Sequence, residues 1–179
     1  MNEVEDVYLV ENCLQGDIQS FEILVNKYQK PIFNAALRLC NDFDNAQDIA
    51  QSAFVKAYDK LEKFNPKYKF FSWIYRIVIN EAINFLHQNK KRQELDDNII
   101  LDDNSPEQEY EQSEINEKIR DALMQIEPNY RILIELKHFQ NCSYSEIGYI
   151  LDIPEKKVKS RLYTARQALG KVLLKIGIK

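Results

Sequence analysis

Glycine and proline are scarce, with four and five in 179 residues. Hairpins and Greek keys need a turn residue roughly every eight to twelve positions, so a many-turned β architecture is excluded and helices are expected. Cysteine is scarce as well. Cys13, Cys40 and Cys142 are odd in number and fall into no CxxC or Cys/His spacing, which argues against a disulfide framework or a zinc site and for reduced, buried thiols. His87 and His138 stand alone, with no nucleophile constellation beside them. Neither a catalytic residue nor a metal nor a cofactor is therefore expected. No apolar run approaches the roughly 18 residues that span a bilayer, and the opening MNEVEDVYLVEN is acidic, with no basic leader. The expectation is a cytoplasmic protein without membrane insertion.

What the chain does contain is charge, unevenly distributed. The net charge is −4, but residues 1–92 carry 12 acids and 12 bases, residues 93–127 carry 12 acids and 2 bases, and residues 128–179 carry 4 acids and 10 bases. The last segment has a local excess of +6 inside an acidic protein, so the whole-chain charge misrepresents what that segment can bind. The acidic block QELDDNIILDDNSPEQEYEQSEINE holds a cluster of Asp, Asn, Ser and Pro and predicts a flexible linker, placed at 93–112. It is either a solvated spacer or a set of acids that repels or mimics nucleic acid.

Helical periodicity is strong on both sides of that linker. Phe21, Leu24, Val25, Tyr28 and Ile32 follow Gly16-Asp17, a turn and N-cap, with Pro31 kinking or dividing the run. Ala46, Ile49, Ala50, Ala53, Phe54, Ala57, Tyr58 and Leu61 form a second stripe. A third helix over SWIYRIVINEAINFLHQNKKR buries Ile74, Ile77, Val78, Ala82, Phe85 and Leu86, with Ser72 as N-cap, and turns Trp73, Arg76, Asn80, Asn84, His87 and Lys91 outward. Before it, EKFNPKYKFFS interleaves lysines with aromatics. Two readings fit: cations and ring faces for single-stranded nucleic acid, or aromatics that plug the end of a helical bundle.

Beyond the linker, Ile115, Ile119, Leu123 and Ile126 make one stripe and Ile132, Leu133, Leu136 and Phe139 another. SYSEIGYILDIPEKKVKSRLYTARQAL then has the layout of a helix-turn-helix: a Ser143/Glu146 capping box, a turn at Leu151-Asp152-Ile153, and Pro154 at the first position of the next helix. In that helix Val158, Leu162, Ala165 and Leu169 make the core stripe. Lys156, Ser160, Tyr163 and Gln167 lie opposite, rimmed by Lys157 and Thr164 on one edge and Lys159 and Arg166 on the other. Cations for phosphates around donors for base edges suit a helix laid in the major groove.

In order, these motifs resemble those of the extracytoplasmic-function sigma factors of bacterial RNA polymerase. GDIQSFEILVNKYQKPIFNAALRLC resembles the family's opening helices, NAQDIAQSAFVKAYDKLEKF its polymerase-binding helix, and FFSWIYRIVINEAINFLHQNKKR its melting helix. MQIEPNYRILIELKHFQNCSYSEIGYILDIPEKKVKSRLYTARQAL resembles its upstream-element domain. Gln47 before Asp48 and Ser52 after Gln51 depart from the family pattern of acids.

The resemblance implies an all-α chain of two small helical domains, residues 1–92 and 113–179, joined by the acidic linker. The first would bind the polymerase β′ clamp helices through Asp48, Gln51, Phe54 and Lys56. It would hold the melted minus-ten strand through Phe64, Asn65, Lys67, Tyr68, Lys69, Trp73, Arg76 and Asn80. The second would meet the β flap and read the minus-thirty-five element of promoter DNA through Lys156, Lys157, Lys159, Ser160, Tyr163, Thr164, Arg166 and Gln167. It also implies an anti-sigma factor as a further partner, no obligate homo-oligomer and no catalysis. A free-standing helix-turn-helix regulator accounts for residues 128–179 equally well but leaves 44–92 unexplained; a protein-binding helical adaptor fits the basic segment poorly.

Overall fold

The computed structural model describes residues 3–95 and 114–178, and among them every regular element is helical. The linker expected over 93–112 lies outside these residues except for its first three positions, which continue a helix.

Helices α1 (Glu3–Leu14), α2 (Ile18–Cys40), α3 (Phe43–Asp59) and α4 (Phe70–Leu95) form the first domain. Asp17 caps α2 by accepting from the Gln19 N–H, and Asp42 caps α3 by accepting from the Asn45 N–H. Pro31 does not divide α2, which runs unbroken from Ile18 to Cys40. The ring forfeits only the bond to the Lys27 carbonyl, and the Pro31 carbonyl accepts from the Tyr75 hydroxyl at 3.0 Å. Leu24, Tyr28, Ile32 and Leu39 of α2 pack on Ile49, Ala53 and Ala57 of α3 and on Ile74, Val78 and Ala82 of α4. Helix α1 was not foreseen, because its stripe of Leu9, Val10 and Cys13 includes an acid. Asp6 is buried there, accepting from the Tyr28 hydroxyl at 2.6 Å and from the Lys27 ammonium.

Ser72 is not the cap of α4. The helix begins at Phe70, and Ser72 sits inside its first turn, buried, with an Oγ that has no hydrogen-bond partner among the described residues. Phe70 to Tyr75 are all buried, the pattern of a helix covered on every side.

The second domain comprises α5 (Glu114–Met124), α6 (Pro128–Ile134), α7 (Tyr144–Leu151) and α8 (Glu155–Lys175). α6 passes directly into a π-helical turn over Glu135–Phe139, closed by the Gln140 N–H to the Glu135 carbonyl at 3.1 Å. The extra residue per turn rotates Phe139 off the Ile132–Leu133–Leu136 stripe. Phe139 is therefore exposed instead of buried, with the Arg38 guanidinium 4.5 Å from its ring centre. Tyr58, expected on the α3 stripe, is likewise exposed and meets Phe21 edge-on.

The two domains share one continuous apolar core, in which Ile147 and Ile150 of α7 and Leu133 and Leu136 join the buried side chains of α2 and α4. Polar contacts between the domains are also buried. Arg131, 6% exposed, donates to the Leu123, Met124 and Ile126 carbonyls at the end of α5 and to the Leu39 carbonyl at the end of α2. One guanidinium thus meets the negative ends of two helices, one from each domain.

Candidate nucleic-acid interface

The helix-turn-helix is built as its sequence specifies. Ser143 Oγ accepts from the Glu146 N–H at 3.2 Å, and Glu146 Oε2 accepts from the Ser143 N–H at 2.7 Å, completing the capping box. Burial works against the Glu146 carboxylate, but these bonds and the neighbouring Lys69 together hold it below the usual carboxylate range. α7 ends at Asp152, in the left-handed conformation (φ 55°), and the Ile153 N–H returns to the Gly148 carbonyl at 3.0 Å. A Cβ on Gly148 would stand 2.8 Å from the Ile153 carbonyl oxygen, so the turn requires glycine there. Pro154, expected at the first helical position, instead occupies the N-cap of α8, which begins at Glu155.

Val158, Leu162 and Ala165 anchor α8, and Lys156, Lys157, Lys159, Ser160, Tyr163, Thr164, Arg166 and Gln167 are all exposed, Tyr163 at 66%. Three are tethered by local partners. Lys159 pairs with Glu155 at 2.8 Å and lies over the Tyr144 ring, Thr164 donates to the Ser160 carbonyl, and Arg166 Nε donates to His138 Nε2 at 3.1 Å. Partial burial and the positive charges of Arg166 and Lys137 hold the His138 pKa below its ordinary value, which keeps that nitrogen free to accept.

The residues expected to hold a melted strand divide into three groups. Asn65, Lys67 and Asn80 are exposed, and Asn65 shapes the loop by accepting from the Lys67 N–H with its side chain and from the Tyr68 N–H with its carbonyl. Phe64 and Trp73 pack together: Phe64 lies edge-on to Phe70 and Trp73, with ring centres 5.7 and 5.6 Å away. Trp73 does not point outward as expected but is 7% exposed, because the loop folds Phe64 back over the indole. The bundle-plug reading thus fits Phe70 and Phe71, which are buried.

The third group faces the second domain. Tyr68 stacks on Tyr149 with centres 3.8 Å apart and planes 15° from parallel. Lys69 pairs with Glu146 at 3.0 Å, and Arg76 donates to the Tyr149 carbonyl at 3.1 Å and lies 3.6 Å from the Asp152 carboxylate.

A groove of about 800 Å³ lies between α2 and α3, lined by Val25, Gln29, Phe33, Phe43, Gln51 and Phe54 among others. Gln51 and Phe54 of the expected polymerase-binding set line this groove, and Asp48 is exposed. Lys56 does not join them. It lies roughly 160° around α3 from Phe54 and forms a 2.5 Å ion pair with Glu81 of α4. The α2 side of the groove was not foreseen, since the polar residues Gln29 and Asn26 interrupt its apolar pattern. Among the described residues no group of three His, Cys, Asp or Glu side chains is placed to hold a metal ion, and no helix is long and apolar enough to cross a membrane.

Comparison with known proteins matches residues 24–92 to Sigma-70 region 2 and residues 116–169 to Sigma-70 region 4. The chain is 33% identical to the RNA polymerase sigma-H factor of Pseudomonas aeruginosa, over 97% of this chain and 96% of that protein. It is 31% identical to the ECF RNA polymerase sigma factor SigW of Bacillus subtilis, over 92% and 94%. Among solved structures, the sigma factor RpoE in complex with the anti-sigma factor NepR from Bartonella quintana superposes with a TM-score of 0.75 at 20% identity, over 87% of this chain and 98% of that one. CnrH in complex with the cytosolic domain of CnrY gives 0.72 at 22% identity, over 94% and 97%. Matches to both sigma-70 regions in this order and near full-length relatives make the chain a member of the extracytoplasmic-function sigma factors, the subunits that direct promoter-specific initiation of transcription by bacterial RNA polymerase.

Proposed function

We propose that the chain, in the cytoplasm, docks on the polymerase β′ clamp helices through the α2–α3 groove, which Gln51 and Phe54 line, together with the exposed Asp48 of α3. Lys56 acts from the other side of α3, through its pair with Glu81, by fixing α3 against α4. The loop carrying Phe64, Asn65, Lys67, Tyr68 and Lys69, with Arg76 and Asn80 of α4, holds the displaced strand at the minus-ten element. Trp73 supports Phe64 from beneath. Extruding a base costs a few kcal/mol, which stacking at about 1–3 kcal/mol per base offsets. α8 lies in the major groove at the minus-thirty-five element, its cations on phosphates and Ser160, Tyr163, Thr164 and Gln167 at base edges. The second domain meets the β flap, and the linker passes through the RNA exit region. No bond is made or broken by the chain itself. An anti-sigma factor is a further partner, by analogy with RpoE, which forms a complex with the anti-sigma factor NepR.

The observation that carries this reading is the face of α8, on which all eight expected DNA-contacting side chains are exposed while Val158, Leu162 and Ala165 are buried. The test is transcription in vitro with core polymerase on genomic fragments, with start sites mapped. Initiation at defined sites is expected. On those promoters Lys157→Ala lowers the salt slope of binding by about 1 and Tyr163→Ala relaxes upstream-element preference. Failure to initiate and to co-elute with core enzyme would defeat the reading.

A further inference from the structure

Lys159 and Arg166 share one edge of α8, and each is tethered, but by partners of different charge. Lys159 pairs with the Glu155 carboxylate at 2.8 Å, which offsets its ammonium. Arg166 donates its Nε–H to His138 Nε2 at 3.1 Å, and His138 belongs to the π-helical turn over Glu135–Phe139. That bond requires an imidazole whose Nε2 is unprotonated, so the ring proton sits on Nδ1. Partial burial first, then the charges of Arg166 from α8 and Lys137 from its own turn, favour this neutral form.

A neutral acceptor does what a carboxylate at the same place could not: it fixes the side chain without cancelling its charge. The guanidinium is planar and rigid, so holding Nε–H also fixes the edge formed by the two Nη groups, a fork that meets a phosphate with two parallel bonds. Among the described residues those two nitrogens have no protein partner. At the rim of a groove-reading face, a backbone phosphate is the group such a fork meets.

We propose that His138 is a positioning residue for duplex DNA: as an uncharged acceptor it fixes Arg166 and presents the Nη pair, at full charge, to one backbone phosphate. This rests on the DNA-reading role of α8 proposed above. An untethered arginine loses rotamer freedom when it binds; here that loss is incurred on folding, and affinity is higher for it. The π turn thereby gains a role, because it sets the acceptor beside the recognition helix.

The test is binding of the full-length chain to a labelled mixed-sequence duplex over a range of salt. Arg166→Ala should weaken binding and lower the salt slope by about 1. His138→Leu removes the acceptor and should weaken binding roughly three- to tenfold, with no further effect once Arg166→Ala is present. His138→Gln, whose amide oxygen reaches the region of Nε2, should bind within about twofold of the parent. His138→Glu holds the guanidinium but offsets its charge, and should weaken binding at least as much as His138→Leu. His138 is exposed, so thermal melts of these variants should match the parent. The bond itself is read in the free chain from the Arg166 Nε–H resonance, whose exchange with water should be slow in the parent and in His138→Gln and fast in His138→Leu. Equally fast exchange in the parent overturns the proposal, and so do additive losses for His138→Leu and Arg166→Ala or equal losses for His138→Leu and His138→Gln; in each case the reading of α8 stands. If Arg166→Ala itself leaves duplex binding unchanged, the reading of α8 fails at that residue and the positioning role with it.

Discussion

Arg38 and Glu135, 97 positions apart in the chain, are joined by two hydrogen bonds: Nε to Oε2 at 2.5 Å and Nη2 to Oε1 at 3.0 Å. Glu135 is 1% exposed and receives one further bond, from Gln140 Nε2. Removing the guanidinium leaves a carboxylate in the shared core with only an amide beside it. Arg38→Met is therefore expected to cost about 3 kcal/mol, toward the lower end for stranding one member of a buried pair, since Arg38 itself is partly solvated. Urea unfolding of the full chain measures it. Restoring stability with Arg38→Met/Glu135→Leu would show that the stranded charge, not lost packing, carries the cost.

Gly148 offers a test of the helix-turn-helix alone. An alanine methyl there meets the Ile153 carbonyl oxygen at 2.8 Å, and neither the turn nor the start of α8 can yield without moving the recognition face. Gly148→Ala should destabilise by about 1–3 kcal/mol and shift amide resonances of Ile153 and Glu155. A neutral result by thermal denaturation would show that the turn is softer than its geometry.

Glu146 ties stability to pH. Its carboxyl is held below the ordinary range near 4.5 in the fold, so its stabilising contribution is complete above that value and is lost as pH falls through the lower, folded value. The melting temperature of the parent should fall more steeply below pH 4.5 than that of Glu146→Gln. Parallel curves over pH 3–7 would contradict the depressed pKa.

Trp73 separates support from contact. With the indole buried under Phe64 and beside Phe70, Trp73→Ala should cost about 3–5 kcal/mol of stability. Trp73→Phe should retain most stability and most promoter opening. Loss of opening in Trp73→Phe without loss of stability would place the indole on the DNA instead.

The sequence made the helices legible because their stripes are periodic and their caps are local: Asp17, the Ser143/Glu146 box and the Asp152 turn depend on residues a few positions apart. What it concealed depends on distant neighbours. Ser72 has the chemistry of a cap, but the aromatic pair before it is buried and extends α4 backward to Phe70. Phe139 fits an α-helical stripe until a π turn rotates it outward. Trp73 sits at a polar angle of α4, and only the folded-back loop reveals what covers it. Which residues of α8 are exposed was readable because one helix, anchored along one stripe, decides it. The contacts of Tyr68, Lys69 and Arg76 were not, since their partners lie more than 70 positions away.

Arg131 gives three of its bonds to carbonyls of its own domain and one, from Nη1, to Leu39 of the other. Were the domains to part, that residue would give up a single N–H to water and keep its remaining bonds to the carbonyls at the end of α5. The joint between the domains is thus polar and self-satisfied at Arg131, while the Arg38–Glu135 pair and the shared apolar core carry what separation would cost.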